Sequence, residues 1–203
     1  TWDSENAPKE LQTLEAGQDA AMQYDFTTWR GYYRGIIESL PTLELKLPNL
    51  TFDTNMVFHG SHRTAEVATY GGGGHTESDA ILYLPDERIA FLGDLLFVKT
   101  HPWLGRVDPA ELIRILDKVE TLGLKTVVPG HGPIGTTEDL TPMRQYVMDL
   151  EKITAEIVKA GGSEEKATQT AIPSDFETWQ FRCFFAPNMR FLYERLSKAD
   201  AKA

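Results

Sequence analysis

The spacing of apolar positions predicts a helical region followed by a β-rich region in the first half of the chain. Apolar side chains recur at helical spacing across residues 9–40, and Pro41 is placed to end that helix. From residue 42 to residue 92 the apolar positions form short β-rich runs, separated by turns rich in glycine, proline and asparagine. We predict strands at Thr42–Leu47, Thr51–Phe58, Ala65–Tyr70, Ala80–Leu84 and Ile89–Leu92.

The pattern of the second half predicts a helix, a strand and then further helices. Asp108 is a suitable N-cap for a helix that Gly123 ends, and Lys125–Val128 is predicted as the next strand. A long helix is predicted from Thr141, and the aromatic segment 174–196 is predicted to be helical with an interruption at Pro187.

This order of elements predicts one α/β domain of the α+β type over residues 1–203. We expect mostly antiparallel strands, because strands and helices do not alternate strictly as they do in a doubly wound sheet. The expected parts are a helical segment over residues 1–41, a β-layer over 42–140 and C-terminal helices over 141–203.

Composition excludes several classes of partner. The formal net charge of -10 argues against nucleic acid and anionic membranes as partners, because basic residues dominate phosphate binding. No apolar run approaches the roughly 18 residues that would span a bilayer. The single cysteine, Cys183, excludes an internal disulfide framework, and its aromatic neighbours favour a buried structural thiol. A reducing compartment is the default for a chain with one cysteine, so we expect a cytoplasmic protein.

Three polar residues lie where apolar strands give way to glycine-rich turns. His75 follows Gly71–Gly74, and His131 lies in a Pro-Gly-His-Gly-Pro turn. Asp94, in the sequence Phe-Leu-Gly-Asp-Leu, is placed at the end of an otherwise apolar strand. Rigid strands and tight turns can project such side chains toward one edge of a sheet, where imidazole and carboxylate suit zinc and related metals. Taken singly, each residue is more often a surface, turn or capping residue.

Together, the three motifs closely resemble the second half of the metallo-β-lactamase superfamily over residues 50–147. Gly-Gly-His-Thr-x-x-Asp, Phe-Leu-Gly-Asp and Val-Pro-Gly-His-Gly-Pro occur in the order and spacing of that family. The resemblance implies an αββα sandwich with two metal sites. It assigns His75 as a ligand of the first site and His131 as the last ligand of the second. Asp94 is assigned as the catalytic carboxylate, which bridges the two metals or ligates the second.

The chain departs from the family pattern upstream of His75. The family's His-x-His-x-Asp-His motif is absent, and the only upstream histidines, His59 and His62, are interpreted as exposed turn residues. We therefore expect a sandwich that is incomplete at its N-terminal side. The chain alone is expected to be a truncated fragment that is inactive or binds metal weakly.

The resemblance implies a metal-dependent hydrolase of ester, thioester, lactone or amide bonds in the intact protein. It implies a small-molecule substrate and two ions of zinc, manganese or iron, with a weak ion or none in this chain. Because the missing layer would leave an apolar sheet face, we expect a homo-oligomer that covers it. The alternative is a non-catalytic binding or assembly module with a degenerate metal site.

Other residues carry weaker hypotheses. A serine hydrolase built on Ser78 lacks the nucleophile elbow, and the glycine run lacks the pattern of a dinucleotide-binding loop. Thr76, Ser78 or Asp79 could hold a metal ligand by a hydrogen bond or could only cap the turn. His101 is a candidate for a substrate pocket, with a plain loop residue as the favoured alternative. The aromatic residues of the last segment are interpreted as packing residues, of which one or two could form a pocket wall.

Overall fold

In a computed structural model, residues 23–72 and 74–200 are described, and the chain divides into two compact units at residues 1–51 and 52–203. In the first unit, helix α1 spans Gln23–Ser39 and passes into a 3-10 turn at Leu40–Thr42. The predicted helix and its end at Pro41 are thus confirmed from residue 23 onward, and residues 9–22 lie outside the described residues. The prediction of one domain over residues 1–203 stays a prediction.

The predicted strand at Thr42–Leu47 is wrong. After the 3-10 turn the backbone is irregular, and Leu43, Leu45 and Leu47 are 65–75% exposed. Alternating leucines form a strand only where a neighbouring strand accepts and donates their backbone hydrogen bonds. In the described residues, no strand pairs with this segment.

The second unit contains a five-stranded sheet whose order follows the sequence, β1-β2-β3-β4-β5. The first four strands form an antiparallel meander, and β5 pairs with β4 in parallel. The five corresponding predictions are confirmed, and β4 continues beyond its predicted end at Leu92. The strands are β1 (Asn55–His59), β2 (Thr64–Ala68), β3 (Ile81–Leu84), β4 (Ile89–Phe97) and β5 (Thr126–His131).

Helix α2 (Pro109–Glu120) connects the two parallel strands, as parallel pairing requires. Its predicted N-cap is confirmed, because the Asp108 carboxylate accepts hydrogen bonds from the backbone N–H groups of Ala110 and Glu111. The remaining α-helices are α3 (Leu140–Lys159), α4 (Glu164–Thr168) and α5 (Phe185–Asp200).

The predicted interruption at Pro187 is wrong, because this residue lies in the first turn of α5. Backbone N–H groups in a first helical turn have no intrahelical acceptor, so a proline there removes no hydrogen bond. Within the described part of the chain, no helix combines the length and apolar character needed to cross a membrane.

The two faces of the sheet have different surroundings within the second unit. Ala90 and Leu92 of β4 are buried in one core with residues of α2 and α3, whereas Phe91 between them is 41% exposed. On the face of Phe91, the strand register aligns one apolar residue from every strand. This row contains Met56, Val67, Leu82, Phe91 and Val128.

Candidate metal centre

Asp94 and His131 are carried by the parallel strands β4 and β5. Asp94 lies three residues before the end of β4, and His131 is the last residue of β5. Both side chains therefore belong to the carboxyl-terminal part of this parallel pair, which we call the rim. Gly93 has a φ of 53°, and the strand register shifts on both sides of it, which turns the backbone beside Asp94. A side chain at Gly130 would collide with the Asp94 carboxylate, so glycine permits the close approach of β5.

His131 is the last residue of β5, and its ring packs against aromatic neighbours. The Phe97 ring stacks on it with a centroid distance of 4.9 Å and an interplanar angle of 14°. Gly132 follows with a φ of 95°, a backbone conformation that side chains rarely adopt. The His131 side chain nevertheless remains 47% exposed, so its ring nitrogen is accessible from solvent.

His75 lies on the loop between β2 and β3, and Asp79 fixes that loop. The Asp79 carboxylate accepts hydrogen bonds from the backbone N–H of His75 at 2.6 Å and that of Thr76 at 2.8 Å. It also accepts the Thr76 hydroxyl at 2.9 Å. The sequence left open whether these residues hold a metal ligand by a hydrogen bond or only cap the turn. Asp79 and Thr76 cap the turn, and this turn carries His75.

The three side chains meet at the Asp94 carboxylate. His75 Nε2 lies 3.7 Å from Asp94 Oδ2, and His131 Nε2 lies 3.5 Å from Asp94 Oδ1. Both distances exceed an ordinary hydrogen bond, so each imidazole faces a carboxylate oxygen without binding it directly. The three residues that the sequence singled out are therefore neighbours in space.

Two imidazoles and a carboxylate are suitable donors for a transition metal, but they do not form one closed site. In the described ranges, no group of three or more His, Cys, Asp or Glu residues is arranged to hold a metal ion. The reason lies in the pairing, because each histidine faces a different oxygen of Asp94. This arrangement fits a carboxylate shared between two positions, each of which needs donors beyond these three.

The upstream histidines lie apart from this group. His59 is the last residue of β1, which is an edge strand on the far side of the sheet from β5. His62 lies in the turn that follows, and both residues are exposed. The predicted exposure is thus confirmed for both residues, whereas the predicted turn position is confirmed for His62 and wrong for His59, which pairs with Thr64 in the sheet.

His101 is buried instead of lining a surface. Its Nδ1 atom lies 3.0 Å from the Tyr146 hydroxyl, and the Asn188 side chain donates a hydrogen bond to the same hydroxyl. Burial lowers the pKa of His101 to about 4, although the backbone oxygen of Phe176 acts in the opposite direction. The residue is 0% exposed, so we assign it a structural role instead of the pocket role that the sequence left open.

Two aromatic neighbours of the site were not singled out from the sequence as site residues. Phe97 stacks on His131, and Phe181 approaches the same ring edge-on at 6.1 Å. Phe97 also borders a cavity of about 370 Å³ between the end of β4 and the start of α3, whose wall includes Lys99 and Trp179. The only signal in the sequence was the concentration of aromatic residues in the last segment, which packing alone also explains.

Comparison with known proteins places this geometry in context. Residues 24–131 match the family model of the metallo-beta-lactamase superfamily. The type 2 metallo-β-lactamase of Bacteroides fragilis is 35% identical over 83 residues, which make up 38% of this chain and 33% of that protein. The chain therefore spans about a third of the length of this curated relative.

Two solved structures resemble the chain in fold. A metallo-β-lactamase family protein from Thermus thermophilus has a TM-score of 0.57 at 14% identity, covering 97% of this chain and 60% of that chain. A sec-alkylsulfatase from Pseudomonas sp. has a TM-score of 0.56 at 16% identity, covering 73% of this chain and 26% of that chain. At these identities the likeness concerns the fold alone.

Proposed function

Because the chain belongs to the metallo-β-lactamase superfamily, we propose that His75, Asp94 and His131 are metal ligands of a hydrolytic centre. Members of this superfamily typically bind metal ions, and its enzymes act on small molecules. The observation that carries the proposal is the pair of contacts between the Asp94 carboxylate and the two imidazoles, at 3.7 and 3.5 Å. The substrate class that we propose is an ester, thioester, lactone or amide.

We propose zinc as the metal, with manganese or iron as alternatives, and two ions in the intact protein. Asp94 would serve both positions through its two oxygens, with His75 beside one and His131 beside the other. When bound, such ions lower the pKa of water and polarise a reacting carbonyl oxygen. Because each position needs about four donors, each would need further ligands besides these three residues.

The residues around the three ligands would keep them in position. The Asp79 carboxylate holds the backbone of His75, and Phe97 covers one face of His131. Gly130 leaves room for the Asp94 carboxylate, whose side chain is 41% exposed and therefore open to water and substrate. These contacts hold the ligand side chains on the protein side and leave the Asp94 carboxylate exposed. Such an arrangement suits a small molecule that binds from solvent.

Zinc binding by the 203-residue chain tests the proposal. We expect measurable zinc binding by calorimetry, and a loss of at least about ten-fold in affinity for Asp94→Asn and for His131→Gln, because each substitution removes a donor. His59→Gln is the matched control, since it removes an exposed imidazole from the far edge of the sheet. Its zinc affinity should equal that of the unmodified chain.

A non-catalytic binding or assembly module is the second candidate. It is favoured by the absence, within the described residues, of any three-donor group for one ion. Zinc affinity that is undetectable, or unchanged by Asp94→Asn and His131→Gln, would reject the metal centre and support this second candidate. Equal losses in all three variants would indicate nonspecific binding to surface histidines and would also reject the centre.

We also propose that the protein is cytoplasmic.

We further propose that a second copy of the chain covers the apolar row that contains Phe91. The row crosses all five strands, and Phe91 and Phe58 on that face are 41% and 47% exposed. Burial of such a face between two copies removes apolar area from water. We expect a dimer in sedimentation velocity and a monomer for Phe91→Glu, and a monomeric unmodified chain would refute dimerisation.

A further inference from the structure

Three aromatic side chains form a continuous path from His131 to the surface. Phe181 lies 6.1 Å from the His131 ring, Phe184 lies 5.8 Å from Phe181, and Trp103 lies 5.7 Å from Phe184, measured between ring centroids. We name Phe181, Phe184 and Trp103 the aromatic strip. Its inner end contacts a proposed metal ligand, and Trp103 at its outer end is 42% exposed. The strip therefore extends from the exposed candidate centre to a second exposed side chain, the Trp103 indole.

The backbone holds the inner end of the strip in an unfavourable conformation. Phe181 has a φ of 54° and a ψ of 43°, in the left-handed region that a bulky side chain rarely occupies. The preceding residue, Gln180, donates its N–H to the Lys99 carbonyl at 3.0 Å and accepts the His101 N–H at 2.9 Å. These bonds fix Phe181 against the segment that follows β4, the strand of Asp94, and strain of this kind is often found at binding sites.

Packing of the C-terminal segment does not account for the strip. Phe176, Trp179 and Phe185 from the same segment are 2%, 7% and 3% exposed, and they already fill the core beside Tyr146 and His101. The strip instead leaves a large indole open to solvent. Exposed aromatic rings beside a polar centre are typical of sites that bind the apolar part of a small molecule.

We infer that the aromatic strip is the subsite for an aryl or similar flat apolar group of the substrate. This inference rests on the proposed function, because the metal centre at Asp94 defines where the bond to be hydrolysed would lie. A substrate bound there would extend its apolar substituent over Phe181 and toward Trp103. Specificity would then favour substrates with an aromatic substituent over those with a short one.

The test uses the metal-free 203-residue chain and two neutral amides, 3-phenylpropanamide and propanamide, followed by NMR titration. We expect 3-phenylpropanamide to shift the indole N–H signal of Trp103, which Trp103→Phe identifies, and to bind about three- to ten-fold more tightly than propanamide. Phe181→Gly should abolish most of this preference, because it removes the ring while glycine accepts the positive φ. Tyr32→Ala, which removes an exposed aromatic ring from α1, should leave the preference unchanged.

Equal binding of the two amides, an unshifted Trp103 signal or an unchanged preference in Phe181→Gly would each overturn the subsite. If Phe181→Gly does not fold, Trp103→Ala replaces it, because truncation of a half-exposed residue leaves no buried cavity. The same loss of preference is expected, and an unchanged preference would again overturn the inference. Since no metal is present, failure of the zinc proposal would appear only in the zinc titrations and would remain distinguishable.

Discussion

Two clusters that contain histidine each include a residue in β4 or just after it, Asp94 and His101, yet they differ in how their polar atoms are used. At the rim, the imidazoles of His75 and His131 face Asp94 across 3.7 and 3.5 Å, and their side chains are 18% and 47% exposed. In the interior, His101 bonds to Tyr146 at 3.0 Å, and both residues are fully buried. The rim cluster is open and only loosely paired. The interior cluster is closed, and Tyr146 bonds to both His101 and Asn188, although His101 Nε2 has no hydrogen-bond partner in the described part of the chain.

This difference distinguishes a structural cluster from a candidate site. A buried polar group must find its partners within the protein, and once it has done so it has little capacity left for a ligand. The rim side chains keep lone pairs that no other group in the described chain occupies, so an ion or a substrate could use them. Substitutions in the interior cluster should therefore change stability, whereas substitutions at the rim should change ligand binding.

The largest effect should follow substitution in the interior cluster, at Asn188. Its side chain accepts the Leu104 N–H at 2.9 Å and donates to the Pro102 carbonyl at 2.7 Å and to the Tyr146 hydroxyl at 3.2 Å. Asn188→Ala should lower the free energy of unfolding by about 3–5 kcal/mol, because buried partners lose their bonds and a cavity forms. Urea denaturation measures this loss.

Zinc affinity measured on the folded Asn188→Ala protein provides the other half of the comparison. It should equal that of the unmodified chain, since Asn188 does not contact the rim residues. A stability loss below about 1 kcal/mol would show that the interior cluster is not structural. A large loss of zinc affinity in the folded variant would show that the two clusters are coupled.

The candidate residues of the rim could be predicted from the sequence because each of them lies in a short, local motif. Each of His75, Asp94 and His131 lies in a short motif with glycine neighbours, and the order of these motifs indicated the family and the fold, which are both confirmed. The parallel pairing of β4 and β5 then brings two of the three together. That the carboxylate at 94 has one imidazole beside each oxygen is a matter of geometry that the motifs alone do not specify.

The interior cluster was not predictable because its partners are distant in the sequence. Thr-His-Pro-Trp around His101 resembles an ordinary loop, and nothing near it indicates that Tyr146 and Asn188 will enclose the ring. The wrong strand at Thr42–Leu47 has a related cause, since alternation describes a strand's faces but not whether a partner strand exists. Local patterns predicted the elements, whereas long-range packing decided burial.

The pH dependence of stability should report the interior histidine. Burial lowers the pKa of His101 to about 4 in the folded protein, whereas an unfolded histidine has a pKa near 6.5. Between these values the unfolded chain binds more protons, so the free energy of unfolding falls as the pH decreases from about 6.5 to about 4. The loss should be at most about 3 kcal/mol, measured by urea denaturation at several pH values.

His101→Gln provides the comparison, because glutamine can still accept the Tyr146 hydroxyl but does not titrate. Its stability at pH 7 should be lower than that of the unmodified chain, and the difference should shrink as the pH approaches 4. Parallel pH profiles for the two proteins would contradict the assignment of His101 as a buried neutral residue. If His75→Gln instead lost this pH dependence of stability, the dependence would have to be assigned to the rim and not to His101.

The smallest expected effect concerns Asp79. Its substitution should affect both stability and ligand binding, because Asp79 caps a turn and also holds the proposed ligand His75. Asp79→Ala removes two backbone bonds and one hydroxyl bond, so we expect a stability loss of about 1 kcal/mol, typical of a lost cap. Thr76→Val is the matched control, because it keeps both backbone bonds to Asp79. It removes the bond from the Thr76 hydroxyl to Asp79 and the weaker bond from the Ser78 N–H to that hydroxyl, so it should cost less. Urea denaturation measures both.

Zinc affinity separates the roles that Asp79 could have. If the cap positions His75, Asp79→Ala should weaken zinc binding by a few-fold, and Thr76→Val should weaken it less, since the backbone bonds that orient the loop remain. A loss as large as that of Asp94→Asn would mean that Asp79 itself binds the ion. An unchanged affinity, together with a clear loss in His75→Gln, would mean that the β2–β3 loop holds His75 in position without the Asp79 carboxylate.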